Sequence, residues 1–203
     1  MAHLLLDALL YVVVPLWLLA GFTDYVLHKR TRIEHTAGTR ESLLHLLQLG
    51  EIGLPVLLGL LFEINSGILI VMLLAFIVHE ATALYDVSYA LPRRHVGVLE
   101  QHVHSFMEVL PFVALLFVTI LNWDQCLALF GLGGEPPRFE LKLKTDPIPA
   151  GYLLTLLSSV LFFIIVPYTE ELWRCMKVER HRLVKLNIAQ AACRSGSFRG
   201  TYE

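Results

Sequence analysis

Residues 99–122 read LEQHVHSFMEVLPFVALLFVTILN. The stretch is long and apolar enough to cross a bilayer core, which takes roughly 20 residues as a helix. Its second half is almost wholly Leu, Val, Ile and Phe, yet its first half carries Glu100, His102, His104 and Glu108. Ionisable groups inside a membrane helix are costly, so each calls for a partner or a function. This one segment therefore sets both questions: a membrane fold, and a reason for its polar half.

Working outward, four further stretches have the same character, at about 4–27, 42–63, 67–90 and 150–173. They predict an all-α, polytopic membrane helix bundle with about five transmembrane helices. Composition agrees. Hydrophobic residues make up 56% of the 203-residue chain and charged residues 17%, with a mean hydropathy of +0.62. A soluble domain has about 45–50% apolar and about 25% charged residues. The net charge of −2 excludes a generally basic nucleic-acid binder, so no nucleic-acid partner is expected. Cys126, Cys175 and Cys193 are too few and too widely spaced for a disulfide framework or a zinc knuckle. The first span lacks a basic leader and a small-residue cleavage site, and reads as a retained helix.

Orientation follows from the cationic residues. Lys29, Arg30, Arg32 and Arg40 lie between spans one and two, Arg93 and Arg94 between spans three and four, and seven more follow span five. Only Arg138, Lys142 and Lys144 lie on the other side. The positive-inside rule then places the N-terminus outside and the C-terminus in the cytoplasm. Two regions are expected: a transmembrane metal-binding bundle over 1–175 and a basic cytoplasmic helix or tail over 176–203, helical to about residue 192, with its basic face on lipid headgroups. On the outer side, Asn65-Ser66-Gly67 is a tight turn, and 123–149 is a long loop broken by glycines and prolines at 131–137. The expected location is a bacterial inner membrane, with the metal site toward the cytoplasm.

The intramembrane polar residues are unevenly placed. Asp24 and His28 sit in span one; Glu41, His45 and Glu51 in span two; His79, Glu80 and Asp86 in span three; Glu100 to Glu108 in span four. All lie in the cytoplasmic halves. At about 1.5 Å rise per residue, Asp24, His45, Asp86 and His104 lie on the order of 6–9 Å deep, and Glu51, His79, Glu80 and Glu108 roughly 15 Å deep. Facing agrees with depth, because residues four or seven apart share a helix face. Asp24–His28, Glu41–His45, His79–Asp86 and Glu100–His104–Glu108 each form such a set. His102 points away from the last of these on a regular helix. Pro55 frees the carbonyl of Glu51 and Pro111 that of Met107, beside the deeper layer.

Imidazole and carboxylate together suit iron, zinc or manganese. About ten convergent groups exceed what one tetrahedral zinc can use, and helix bundles hold two metals on such ligands. The expected ligands are Asp24, His28, His45, Glu51, His79, Asp86, His102, His104 and Glu108, with Glu41, Glu80 and Glu100 either further ligands or partners that orient the imidazoles. Glu170 and Glu171 read as partners of Arg174 at the inner end of span five, with Tyr168 and Glu171 at the border of the site. His3, His35, His95 and His181 read as surface residues.

The pieces Asp24-x3-His28, Glu41-x3-His45, His79-Glu80-x5-Asp86 and Glu100-Gln-His102-Val-His104-x3-Glu108 resemble the boxes of integral-membrane, histidine-rich di-iron hydroxylases and desaturases, the fatty-acid-hydroxylase-like enzymes. The likeness covers spans one to four. No His-x-x-His-His box is present, and carboxylates replace several histidines. The resemblance implies two irons, oxygen chemistry (hydroxylation or desaturation) on a lipid or other apolar substrate, and a separate electron-donor protein. Alternatives from other classes are an intramembrane metal or proton transporter, a haem-binding electron-transfer subunit using two facing histidines, and a zinc hydrolase, for which the second histidine of a His-Glu-x-x-His motif is missing at Ala83.

Overall fold

The computed structural model describes residues 1–196, with side chains as far as Ala191. The described chain is helical and contains no strand. Five helices are long and apolar enough to cross a membrane: α1 (Ala2–Thr31), α2 (Thr39–Leu61), α3 (Ser66–Ala90), α4 (Val98–Leu121) and α6 (Ala150–Ala191). A short α5 (Trp123–Ala128) begins the loop that joins α4 to α6. The helical backbone of α6 continues to Gly196, so the basic region from residue 176 is an unbroken extension of the fifth span. Residues 197–203 of the expected tail lie outside the described residues.

The packing order follows the chain. α2 and α3 form the most extensive pair, α1 packs along α4, and α6 crosses α2 and α1. Leu54, Leu84, Phe106, Phe112, Leu154 and Phe162 point outward and are exposed. In a bilayer these faces meet acyl chains, while the backbone hydrogen bonds are closed within each helix. α1 and α6 each contain one π turn, at Leu9–Val13 and Leu161–Ile165. Such a turn displaces a carbonyl from the regular ladder, and the Tyr152 hydroxyl on α6 donates to Leu10 O at 2.6 Å. Pro55 and Pro111 both lie buried inside their helices.

The loop over 129–149 covers one end of the bundle. Glu63 N–H donates to Lys142 O (2.8 Å), Lys144 N–H to Leu61 O (3.0 Å) and Gly67 N–H to Arg138 O (3.0 Å). Gly131 and Gly133 turn it with φ of 68° and 90°, a region that residues with a Cβ rarely enter. Asn65 ties this cover to the bundle. Its Oδ1 caps α3 by accepting from Ile68 N–H at 3.0 Å, and its Nδ2 donates to Glu140 O at 2.6 Å.

Asn65→Ala removes both bonds at a buried position. A lost cap costs about 1–2 kcal/mol, so the thermal midpoint in detergent is expected to fall by several degrees. An unchanged midpoint contradicts this role for Asn65.

Candidate metal centre

The cluster forms where five helices converge, near the end of the bundle that carries Lys29, Arg30, Arg32, Arg40 and Arg93. α1 supplies Asp24 and His28 one turn apart, α2 supplies Glu41 and His45 one turn apart, α3 supplies His79 and Asp86, and α4 supplies Glu100 and His104. The fifth contribution is Glu171 from α6, fully buried at 0% exposure.

Two imidazoles lie at the centre. The rings of His28 and His45 stack, with centroids 4.6 Å apart and planes 16° apart. Glu171 spans the pair: Oε1 lies 2.9 Å from His45 Nδ1 and Oε2 lies 3.3 Å from His28 Nδ1. On the far side of His28, Nε2 faces Glu100 Oε1 at 3.1 Å and Asp24 Oδ1 at 3.4 Å. The same Asp24 oxygen lies 2.9 Å from His104 Nε2. The other oxygen of Asp24 meets the Tyr168 hydroxyl at 3.1 Å. His45 Nε2 points to Asp86 Oδ2 at 3.3 Å, and that oxygen also accepts from the Gln48 amide.

Arg94 lies at the rim. It comes from the α3–α4 connection, yet it is 9% exposed. Its guanidinium pairs with both oxygens of Glu41 and with Glu100, and one nitrogen stands 3.2 Å from His28 Nε2. Burial opposes its charge, but the two carboxylates hold its pKa above the ordinary arginine value.

The deeper layer adjoins this one. His79, Glu108, Asp24, His45, Asp86 and His104 line one small cavity of about 20 Å³, room for one water-sized particle. Glu51 accepts from the Thr82 hydroxyl at 2.8 Å and lies 3.7 Å from His79 Nδ1. The His79 ring also approaches the Met107 carbonyl, which Pro111 deprives of its helical donor.

Two overlapping groups have ligand atoms within 4.8 Å of one another: Asp24, His28, Glu100 and His104, and His28, Glu41 and His45. Ligands at about 2.0–2.2 Å from an ion stand up to roughly 4.4 Å apart, so each group is close to the span of one coordination sphere. Several buried polar atoms here make no hydrogen bond of good geometry: His28 Nδ1, His45 Nε2, His79 Nδ1, Asp86 Oδ1, Glu51 Oε2 and Glu171 Oε2, although His28 Nδ1 faces Glu171 and His45 Nε2 faces Asp86 at 3.3 Å, and His79 Nδ1 faces Glu51 at 3.7 Å. Buried polar atoms are nearly always satisfied, and a cluster of orphans is a mark of a missing ion or water. The residues present can hold a metal ion.

Of the sequence-derived ligands, the structure brings together Asp24, His28, His45, His79, Asp86, His104 and Glu108, with Glu51 one contact away through His79. His102, expected among the ligands, is instead exposed and apart, because a regular helix turns it away from the face that carries Glu100 and His104. Glu41 and Glu100 stand at the cluster itself. The reading of the end of span five divides: Glu170 does pair with Arg174 at 3.3 Å, whereas Glu171, one residue on, faces inward between the two central imidazoles. Arg94 went unrecognised because a loop arginine counts as surface charge until its partners are known. Its signal was the pair of carboxylates, Glu41 and Glu100, at the facing ends of α2 and α4.

No family model matches the chain, and no curated protein or solved structure matches it.

Removing the arginine strands two buried carboxylates. Arg94→Ala is expected to cost about 3–5 kcal/mol. Arg94→Ala combined with Glu41→Gln and Glu100→Gln should recover part of that loss. Equal midpoints for the single and triple variants in detergent melts contradict the pairing.

Proposed function

We propose that the chain is a di-metal membrane oxidoreductase, with iron as the metal, that uses oxygen to hydroxylate or desaturate a hydrophobic, lipid-like substrate. The observation that carries this reading is the set of orphaned imidazole and carboxylate atoms within a cluster of unbalanced charge. Asp24, Glu41, Asp86, Glu100 and Glu171 are buried with Arg94 as the one buried Lys or Arg among the described residues. Five negative charges against one positive leave an excess of four when His28, His45 and His104 are neutral, as metal ligands must be, and of one when all three carry a proton. Unpaired charge in an apolar interior costs several kcal/mol per ion, and two divalent cations cancel an excess of four.

The donor set is mixed nitrogen and oxygen, which suits iron, zinc or manganese. Iron is favoured by what lies beside the cluster. A second cavity of about 380 Å³, lined chiefly by Leu, Val and Ile, reaches within one helical turn of His79 and Glu108. Hydrocarbon offers no ester or amide to a zinc-bound water, so chemistry there needs a redox metal. When bound, a pair of irons supplies the electrons that activate oxygen. The protein side chains do the rest. His28, His45, His104 and Asp24 are positioned to hold the ions, Glu171 and Arg94 fix the imidazole and carboxylate orientations, and the apolar helix halves exclude water. Electrons come from a separate donor protein. The charge distribution supports a cytoplasmic position for the cluster, in keeping with a bacterial inner membrane protein.

A transporter needs polar groups across the whole thickness. The polar groups of the large cavity gather at its loop end, and the walls from there to Trp17, Ile52 and Pro111 are apolar, so metal flux into proteoliposomes is expected to stay at background.

Protein from iron-replete growth, purified without oxygen, is expected to carry close to two irons per chain and to consume oxygen when reduced. Asp24→Ala, His45→Ala and Glu171→Ala should lose most of the metal, while His102→Ala keeps it. Metal-free protein from that growth, or equal retention in all four variants, overturns the proposal.

A further inference from the structure

The larger cavity has a shape and a polarity of its own. It runs between α1, α2, α3 and α4 and is closed on one side by the 144–148 segment of the cover loop. On α2 its lining extends from Ile52 to Leu60 and on α4 from Pro111 to Leu121, roughly 12 and 15 Å at about 1.5 Å per residue, and Glu63 and Asn122 continue it just past the helix ends. A volume of about 380 Å³ lies at the small end of ligand cavities, a size suited to one hydrocarbon chain.

The two ends differ. His3, Glu63, Asn122, Lys144 and Asp146 stand at the loop end. Glu63 is engaged by Thr145, whose N–H and hydroxyl donate at 2.8 and 2.6 Å, and Lys144 has no acidic side chain within 4 Å among the described residues. Burial lowers the pKa of Lys144 against the attraction of Glu63, so an acceptor brought to its ammonium relieves it. The other end is Trp17, Ile52, Phe76 and Pro111, one turn from Glu51, His79 and Glu108. Both helix prolines line the cavity, and at Gly59 the α2 backbone packs closely on the tip of Met72, whose Cε lies 2.8 Å from where a Cβ would stand.

We propose that this cavity binds one single-chain amphiphile, a fatty acid or a long-chain alcohol, with its head at Lys144 and the far end of its chain against Trp17 and Phe76. The metal reading enters only in what would happen at the chain end, which this pose brings to the cluster; the binding itself is independent of it.

Trp17 reports on the deep end. In a Trp123→Phe/Trp173→Phe background, in nanodiscs, fatty acids and alcohols brominated near the methyl end should quench Trp17 saturably. The same chains brominated beside the head should quench severalfold less. Ala114→Phe and Val56→Phe, each filling the cavity, should abolish the saturable phase with metal content unchanged. The proposal is overturned by equal quenching from both bromine positions, by stronger quenching from the head-side bromine, by quenching that persists in both filled variants, or by equal quenching from brominated bilayer phospholipid. Lost binding with iron intact sinks this inference alone, and binding without iron sinks the metal reading alone.

Discussion

Five carboxylates and one arginine share a water-poor pocket between five helices, and the rest of the structure answers to that imbalance. A carboxylate at this depth is tolerated only where something neutralises it. Arg94 does so for Glu41 and Glu100. Asp24, Asp86 and Glu171 are left facing His28, His45 and His104, with contacts of 2.9 to 3.4 Å. Each is a carboxylate oxygen facing an imidazole nitrogen, where a proton on the ring or a bound cation satisfies both.

The helices divide the labour along their lengths. One half of each of α1 to α4 is polar and converges on the cluster. The other half is apolar and separates enough to leave a chain-wide cavity. Pro55 and Pro111 sit at the boundary, where freed carbonyls serve the polar side and the missing side-chain bulk serves the apolar side. The cover loop, tied down by Asn65 and by pairing of residues 61–63 with 142–144, closes the end of the cavity remote from the cluster. A polar cluster and an apolar chamber thus follow from the same four helices.

Much of this was legible in the sequence. Five runs of apolar residues gave the five spans, because a bilayer imposes its thickness on the chain. The i, i+4 pairs Asp24–His28 and Glu41–His45 declared their faces, and their depth declared their company. His102 was wrongly grouped with His104, because two residues along a helix face nearly opposite sides and the regular start of α4 kept it outward. Glu171 was harder. It sits beside Glu170 and three residues before Arg174, a pattern that reads as a surface ion pair, and only the path of α6 across α1 and α2 turns one glutamate outward and its neighbour inward. Arg94 and the chamber share that difficulty. Both are products of how helices meet, and a lining of leucines and valines looks the same in a sequence whether it packs or leaves space.

The account stands on ions occupying the cluster. X-ray absorption at the iron edge of iron-loaded protein tests that most directly. The account predicts a shell of nitrogen and oxygen near 2.0–2.2 Å, imidazole scattering from at least two histidines per pair of irons, and a second iron at about 3.5–4 Å. A shell of oxygen alone, with neither imidazole nor a neighbouring iron, would mean that iron merely adheres to exposed carboxylates, and it contradicts the account.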